Sequence, residues 1–142
     1  MNSELRRDLT AKDGPLAGAV STDVSPVGGG CIHQAWKLRL SDGQVLFAKS
    51  GGASALPLFE VEAEALEALH AQADASFLVV PQPIALAALP HGAVLLLPWL
   101  DFGGSDQTAL GRGLALLHQS SMASSPGPFG WPRAGVIGAA SQ

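Results

Sequence analysis

The segment that most constrains the fold of this chain is residues 24–50, VSPVGGGCIHQAWKLRLSDGQVLFAKS. An apolar run at 24–27 ends in three consecutive glycines, and two strand-like segments follow at residues 33–40 and 45–49. The Asp-Gly pair in the 41–43 turn between these two segments is typical of a β-hairpin. The pattern therefore predicts three consecutive strands, with a glycine-rich tip between the first and the second.

The glycine tip and one lysine suggest an anion-binding site. Gly28, Gly29 and Gly30 let backbone N–H groups approach an anion, because no Cβ intervenes and φ can be positive. Lys49, at the end of the third strand, can reach back over this tip, as in the small lobe of a kinase that holds the phosphates of ATP. A plain glycine turn and a solvated surface lysine remain the alternative for each feature taken alone.

Length and composition limit the number of domains, the kinds of partner and the cellular compartment. With 142 residues, 47% of them hydrophobic and 14% charged, the chain fits one domain, or one lobe and part of another. A net charge of −4 argues against a nucleic-acid partner. No apolar run approaches the roughly 20 residues that span a bilayer, and no secretory signal is visible. From the missing apolar span we expect no membrane partner. The single cysteine, Cys31, excludes an internal disulfide framework and fits a cytoplasmic protein.

A helix is predicted from residue 55 to residue 73. Its core-facing positions are Leu56, Phe59, Ala63 and Leu66, with His70 at the edge. Three of its glutamates form a solvated stripe: Glu60, Glu64 and Glu67. Glu62 lies instead at the margin of the buried side, where a desolvated carboxylate without a partner is costly. Lys49 is the candidate partner of Glu62; a boundary residue that reaches water is the alternative.

The remaining elements complete the predicted order α, β, β, β, α, β, β, linker, α. They are a short N-terminal helix with Ser3 as N-cap that ends near Lys12, strands at 84–89 and 93–97, and a helix from a cap at Ser105 or Asp106 to about residue 120. The apolar run 94–97 predicts the most buried strand, and Pro98 closes it. The last helix is predicted to bury one face, formed by Leu110, Leu114 and Leu117 with His118 at its edge. A structural role is favoured for His118, and a catalytic role is the alternative.

Several motifs together resemble one family. They are residues 28–32 (GGGCI), 47–49 (FAK), 59–66 (FEVEAEAL), 110–118 (LGRGLALLH) and the ending from FGW at 129–131 to Gln142. This set of motifs resembles the fructosamine kinase (ketosamine-3-kinase) family, which is related to the aminoglycoside and choline phosphotransferases. The resemblance implies an α+β, protein-kinase-like fold. Residues 1–98 would form the N-lobe, a five-stranded antiparallel sheet with a helix C equivalent; 99–104 would form the hinge, and 105–142 the start of an incomplete C-lobe.

The resemblance also implies an activity, the ATP-dependent phosphorylation of a sugar hydroxyl. The substrates would be fructosamines or ribulosamines, on small molecules or on protein lysines, in protein deglycation. The implied nucleotide-binding residues are Gly28, Gly29, Gly30, Cys31 and Ile32 over the phosphates, Lys49 on the phosphates, Glu62 fixing Lys49, and Pro98, Trp99 and Leu100 as the hinge. The chain departs from protein kinases at His33, where a third loop glycine would stand, and at Pro98, where an acidic residue is common.

The catalytic aspartate and the Mg²⁺ ligands of this family lie in the C-lobe, in a His-Gly-Asp-type loop and a later aspartate. We therefore expect no catalytic and no metal-binding residue among these 142, and no phosphorylation by the chain alone. Two alternatives stay open. One is another small-molecule phosphotransferase of the aminoglycoside or choline type. The other is a non-catalytic, truncated kinase-like module that binds nucleotide or a partner.

Two routes to a dimer follow from the same pattern. An inter-lobe face left exposed would be apolar and would promote association. Cys31, near a cluster of N–H groups and Lys49, would have a lowered pKa and could form an intermolecular disulfide. A small reduced residue that only fills space is the alternative for Cys31.

Overall fold

The computed structural model describes residues 1–28, 33–101, 103–104, 106–124, 136–137 and 140–141. Its helices are α1 (Ser3–Thr10), α2 (Leu56–Gln72, preceded by a 3₁₀ turn at Ala53–Ala55) and α3 (Gln107–Ser124). Its strands are β1 (Ser21–Val27), β2 (Gln34–Leu40), β3 (Val45–Gly51), β4 (Ala85–Leu89), β5 (Gly92–Pro98), β6 (Val136–Ile137) and β7 (Ala140–Ser141). No helix in these ranges is long and apolar enough to cross a membrane.

The first five strands form one antiparallel sheet in the order β1-β2-β3-β5-β4. The chain leaves β3, passes through α2 to the edge strand β4, and returns as β5 in the gap between β3 and β4. In this register Ala35 pairs with Lys49, and Lys49 pairs with Leu95. The α+β class with a five-stranded antiparallel sheet, predicted from the sequence, is confirmed.

The predicted hairpin between β2 and β3 is present, and local chemistry explains its turn. Gly43 has a φ of +90°, which is favourable only for a residue without a side chain. The Gln44 N–H donates to Asp42 Oδ1 at 2.8 Å, an Asx-type bond that replaces a ladder bond at the tip.

The two faces of the sheet are covered by different helices. Alternate residues point to opposite sides of a strand. On one side Leu38, Leu46, Ala48, Val94 and Leu96 pack with Leu9 of α1. On the other side Ala93, Leu95 and Leu97 pack with Phe59 and Ala63 of α2. Positions 93–96 of β5 are fully buried, because this strand lies under both helices, and the predicted most buried strand is confirmed.

The helices α1 and α3 both begin at a residue whose side chain caps the first turn. Asn2, and not the predicted Ser3, caps α1: its Oδ1 accepts from the Leu5 N–H at 2.7 Å, and the helix ends at Thr10, short of Lys12. Asp106 caps α3 by accepting from two N–H groups of the first turn, at 3.0 and 2.9 Å. The other candidate cap, Ser105, lies outside the described residues. α3 also continues to Ser124, beyond the predicted end near residue 120.

The predicted buried face of α3 is wrong for two of its three leucines. Leu117 is buried, but Leu110 and Leu114 are 41% and 42% exposed, and His118 is exposed as well. The reason is Gly113, which has no side chain and lies directly against residues 77–78. That close approach turns the stripe of Gly113 and Leu117 inward and the stripe of Leu110 and Leu114 outward.

Candidate functional site

A cavity of about 440 Å³ opens on the face of the sheet that carries α2. The helix covers β5 on this face and leaves the neighbouring parts of β2 and β3 open. The residues that line the cavity are Val27, Gly28, His33, Ala35, Phe47, Lys49, Glu62, Pro81, Leu97, Pro98, Trp99 and Leu100. Strand alternation explains several of them, since Ala35 and Phe47 lie on the same face as Lys49.

An ion pair lies at one end of this cavity. Lys49 Nζ of β3 is 2.5 Å from Glu62 Oε2 of α2, and the two side chains are 25% and 34% exposed. The predicted pairing of Lys49 with Glu62 is therefore present in the structure. Partly exposed ion pairs contribute about 0–1 kcal/mol to stability, so this pair adds little to the stability of the fold.

The other end of the cavity is apolar. It is lined by Phe47, Leu97, Pro98, Trp99 and Leu100, so the predicted hinge residues border the same cavity as Lys49. An apolar slot joined to a charged end suits a ligand with a flat hydrophobic part and an anionic part.

Contacts of its ring face, its ring edge and its backbone hold Trp99 in place. Lys37 Nζ of β2 lies 4.1 Å from the centroid of the indole, within the range of a cation–π interaction. The indole Nε1–H donates to Asp101 Oδ1 at 2.8 Å. The backbone N–H of Trp99 donates to the Val45 carbonyl at 3.3 Å and continues the pairing of β3 with β5.

His33 is a residue of the cavity wall to which the sequence assigned no function. Its ring packs edge-on against Phe59 of α2, with the centroids 4.8 Å apart and the planes at 64°. The sequence signal was its place directly after residues 28–32, the segment predicted to cover the phosphates. The missing information was the contact with Phe59, a residue 26 positions later.

The glycine tip is described only in part. Gly28 lines the cavity, whereas Gly29, Gly30, Cys31 and Ile32 lie outside the described residues. A Cβ built at Gly28 would meet nothing within 4 Å, and its φ is not positive. Neither crowding by the described residues nor backbone strain therefore requires a glycine at this position. The sequence-based roles of the other four residues stay predictions.

Comparison with known proteins identifies the family. A family model described as fructosamine kinase matches residues 7–142. The chain belongs to the fructosamine kinase family. The resemblance predicted from the sequence is thus confirmed, and the match favours the ketosamine kinases over the aminoglycoside and choline phosphotransferases.

Curated relatives carry related names. A chloroplastic protein-ribulosamine 3-kinase from Oryza sativa subsp. japonica is 37% identical over 103 residues, which are 70% of this chain and 29% of that protein. A probable ketoamine kinase from Synechocystis is 35% identical over 119 residues, 82% of this chain and 38% of that protein. The chain therefore spans about a third of the length of these relatives.

Two solved structures share the fold. A candidate fructosamine-3-kinase from Haemophilus somnus superposes with a TM-score of 0.72 at 21% identity, over 87% of this chain and 41% of that one. Another, from Thermobifida fusca, gives a TM-score of 0.69 at 23% identity, over 99% of this chain and 46% of that one. The protein-kinase-like fold of fructosamine kinases thus extends to this chain.

The described residues suit an anionic ligand better than a metal ion. Among them no group of three His, Cys, Asp or Glu could hold a metal ion, and the carboxylate on the cavity wall, Glu62, is paired with Lys49. The contact between Lys49 and Glu62 is a direct one between their side chains and needs no metal ion.

Proposed function

We propose that this chain supplies the ATP-binding part of a ketosamine kinase. The observation that carries the proposal is the pair of Lys49 and Glu62 at the polar end of a cavity that is apolar at its other end. Lys49 would hold phosphate oxygens of the nucleotide, and Glu62 would orient Lys49 for that contact. Residues 1–98 would correspond to the small lobe of the kinase, 99–104 to its hinge and 105–142 to the start of the second lobe.

The apolar end would take the adenine ring. Because the Trp99 N–H is bonded to Val45, the hinge groups left for adenine are the Pro98 carbonyl and the Leu100 N–H. Proline lacks an N–H but keeps its carbonyl, so Pro98 can still accept from the adenine amino group. The proline therefore removes no contact that adenine needs.

The whole protein would use this site to transfer the γ-phosphoryl group of ATP to a sugar hydroxyl of a ketosamine. The bond between the γ-phosphorus and the β–γ bridging oxygen breaks, a bond from phosphorus to the sugar oxygen forms, ADP leaves, and the hydroxyl proton passes to a base. The names of the relatives, ribulosamine 3-kinase and ketoamine kinase, support this substrate class. A plant relative is named chloroplastic, so the compartment of this chain stays a prediction.

Calorimetric titration of ATP into the 142-residue chain tests the nucleotide site. We expect saturable binding that weakens about tenfold or more in Lys49→Ala, because a charge-assisted contact to phosphate is lost. Lys12→Ala, which removes an exposed lysine after α1, is the matched control and should bind like the wild type. No binding by the wild type, or equal binding by Lys49→Ala, would contradict the proposal.

A further inference from the structure

We propose that His33 is a second phosphate-binding residue of this site and donates a hydrogen bond to the phosphate chain held by Lys49. The inference rests on the proposed nucleotide site and names one more residue of it. Neither the sequence motifs nor the relatives' names assign a function to His33.

The first argument is that, of the four polar side chains that line the cavity, one has no hydrogen-bond partner among the described residues. The four are His33, Lys49, Glu62 and the indole of Trp99. The indole N–H donates to Asp101, and Lys49 and Glu62 form an ion pair with each other. Neither ring nitrogen of His33 has a hydrogen-bond partner in the described part of the chain, so no described group competes with a ligand for this donor.

The second argument is that the ring is held in place. Its edge-to-face contact is with Phe59, which is fully buried and therefore has a fixed orientation. On another side the ring lies against Gly51: a Cβ built there would be 3.2 Å from His33 Cδ2. A donor that is already fixed loses little conformational entropy when a ligand binds.

The third argument is position along the strands. His33 immediately precedes β2, and Ala35, two residues later, pairs with Lys49 of β3. His33 and Lys49 therefore lie at the same end of the cavity, away from the apolar end near Trp99. An anion at this end would lie between an ammonium and an imidazole from neighbouring strands. An imidazole carries at least one N–H in either protonation state, so it is a donor in both.

Binding of ATP and of adenosine to a set of His33 variants tests the inference. His33→Phe keeps an aromatic ring against Phe59 and removes the donor, and His33→Leu removes the donor with a smaller side chain. His33→Gln restores an N–H donor. We expect both donor-free variants to bind ATP about tenfold more weakly, as for loss of a hydrogen bond to a charged group, with adenosine affinity changed less than about twofold. His33→Gln should recover part of the ATP affinity.

The control is His118→Phe, which makes the same replacement at an exposed position of α3 and should change neither affinity. Thermal unfolding of each variant shows whether it is folded, and either donor-free variant alone suffices for the comparison. Equal losses for ATP and adenosine would mean that His33 only shapes the cavity, and unchanged ATP affinity would mean that it makes no contact; both results overturn the inference. ATP binding that depends on Lys49 but not on His33 overturns this inference alone. No ATP binding by the wild type overturns the proposed function with it.

Discussion

At the scale of single residues, we expect the ion pair of Lys49 and Glu62 to contribute little to the stability of the fold. Both side chains keep a quarter to a third of their surface exposed, so water screens the pair. In a double-mutant cycle with Lys49→Met and Glu62→Gln, we expect a coupling free energy of unfolding below about 1 kcal/mol. Urea denaturation of the two single variants and the double variant measures it.

The same cycle with Arg7 and Glu4 replaced in α1 gives a baseline for exposed charges on this molecule. A coupling of several kcal/mol between Lys49 and Glu62 would instead identify a structural pair, and the argument that the pair positions an ammonium for a ligand would lose its support.

Residue identity alone predicted the pair but not the contacts around it. Lys49 and Glu62 could be matched from the sequence because a carboxylate at the margin of a helix needs a partner, and the strand ending in Lys49 offered one. His33 could not be placed, because its orientation depends on a ring contact with Phe59. The cap of α1 was missed by one residue, since Asn2 and Ser3 both carry suitable side chains and only the Leu5 N–H distinguishes them.

At the scale of elements, two glycines of α3 give opposite predictions. A Cβ at Gly113 would lie 2.7 Å from Leu78 Cβ and 3.1 Å from the backbone of Phe77, whereas a Cβ at Gly111 would meet nothing within 4 Å. We expect Gly113→Ala to destabilise the protein by about 1–3 kcal/mol through overpacking. Gly111→Ala should stabilise it by about 0.5–1 kcal/mol through helix propensity.

Urea unfolding of the two variants checks both signs, and each variant is the control for the other. Stabilisation by Gly113→Ala would mean that α3 does not lie against residues 77–78 in solution. This contact also explains why the face of α3 was predicted wrongly: the periodicity of the leucines indicated the stripe of Leu110, Leu114 and Leu117, and the packing of Gly113 against residues more than 30 positions earlier is not visible in that pattern.

Two carboxylates of the N-terminal helix lie beside His91 in the turn between β4 and β5: Asp8 at hydrogen-bond distance, and Glu4, whose Oε1 is 4.0 Å from His91 Nε2. Asp8 Oδ2 accepts from the His91 backbone N–H at 3.1 Å and lies 2.9 Å from His91 Nδ1, while the Asp8 side chain is only 11% exposed. We expect Asp8→Ala to cost about 1–3 kcal/mol of unfolding free energy, because it removes two hydrogen-bond contacts of a mostly buried carboxylate. Asp13→Ala, at an exposed position just beyond α1, should change it by less than about 0.5 kcal/mol. Thermal and urea unfolding compare the two, and equal effects would contradict a specific attachment.

At the scale of the whole molecule, the candidate site follows from the unequal packing of helices on the two faces of one sheet. α1 packs on the first face against a continuous cluster of leucines and valine. α2 packs on the second face over β5 and leaves Ala35 and Phe47 beside the cavity. The order of elements and the burial of β5 were predictable from hydrophobic pattern and turn chemistry. The cavity was not, because its shape depends on how far α2 reaches across the sheet.

The hydrogen-bond donors and the carboxylate on the cavity wall lead to a prediction about activity. The described wall offers His33 and Lys49 as donors, and its carboxylate, Glu62, is engaged by Lys49. Phosphoryl transfer also needs a group that orients the attacking hydroxyl and accepts its proton. We therefore expect the 142-residue chain to bind ATP and to release no ADP above background when a ribulosamine or fructosamine derivative of lysine is added. A coupled ADP-release assay measures this, with the full-length ribulosamine 3-kinase from Oryza sativa as the positive control. Turnover by the chain that disappears in Lys49→Ala would show that these residues suffice for catalysis and would overturn the assignment of this chain to nucleotide binding alone.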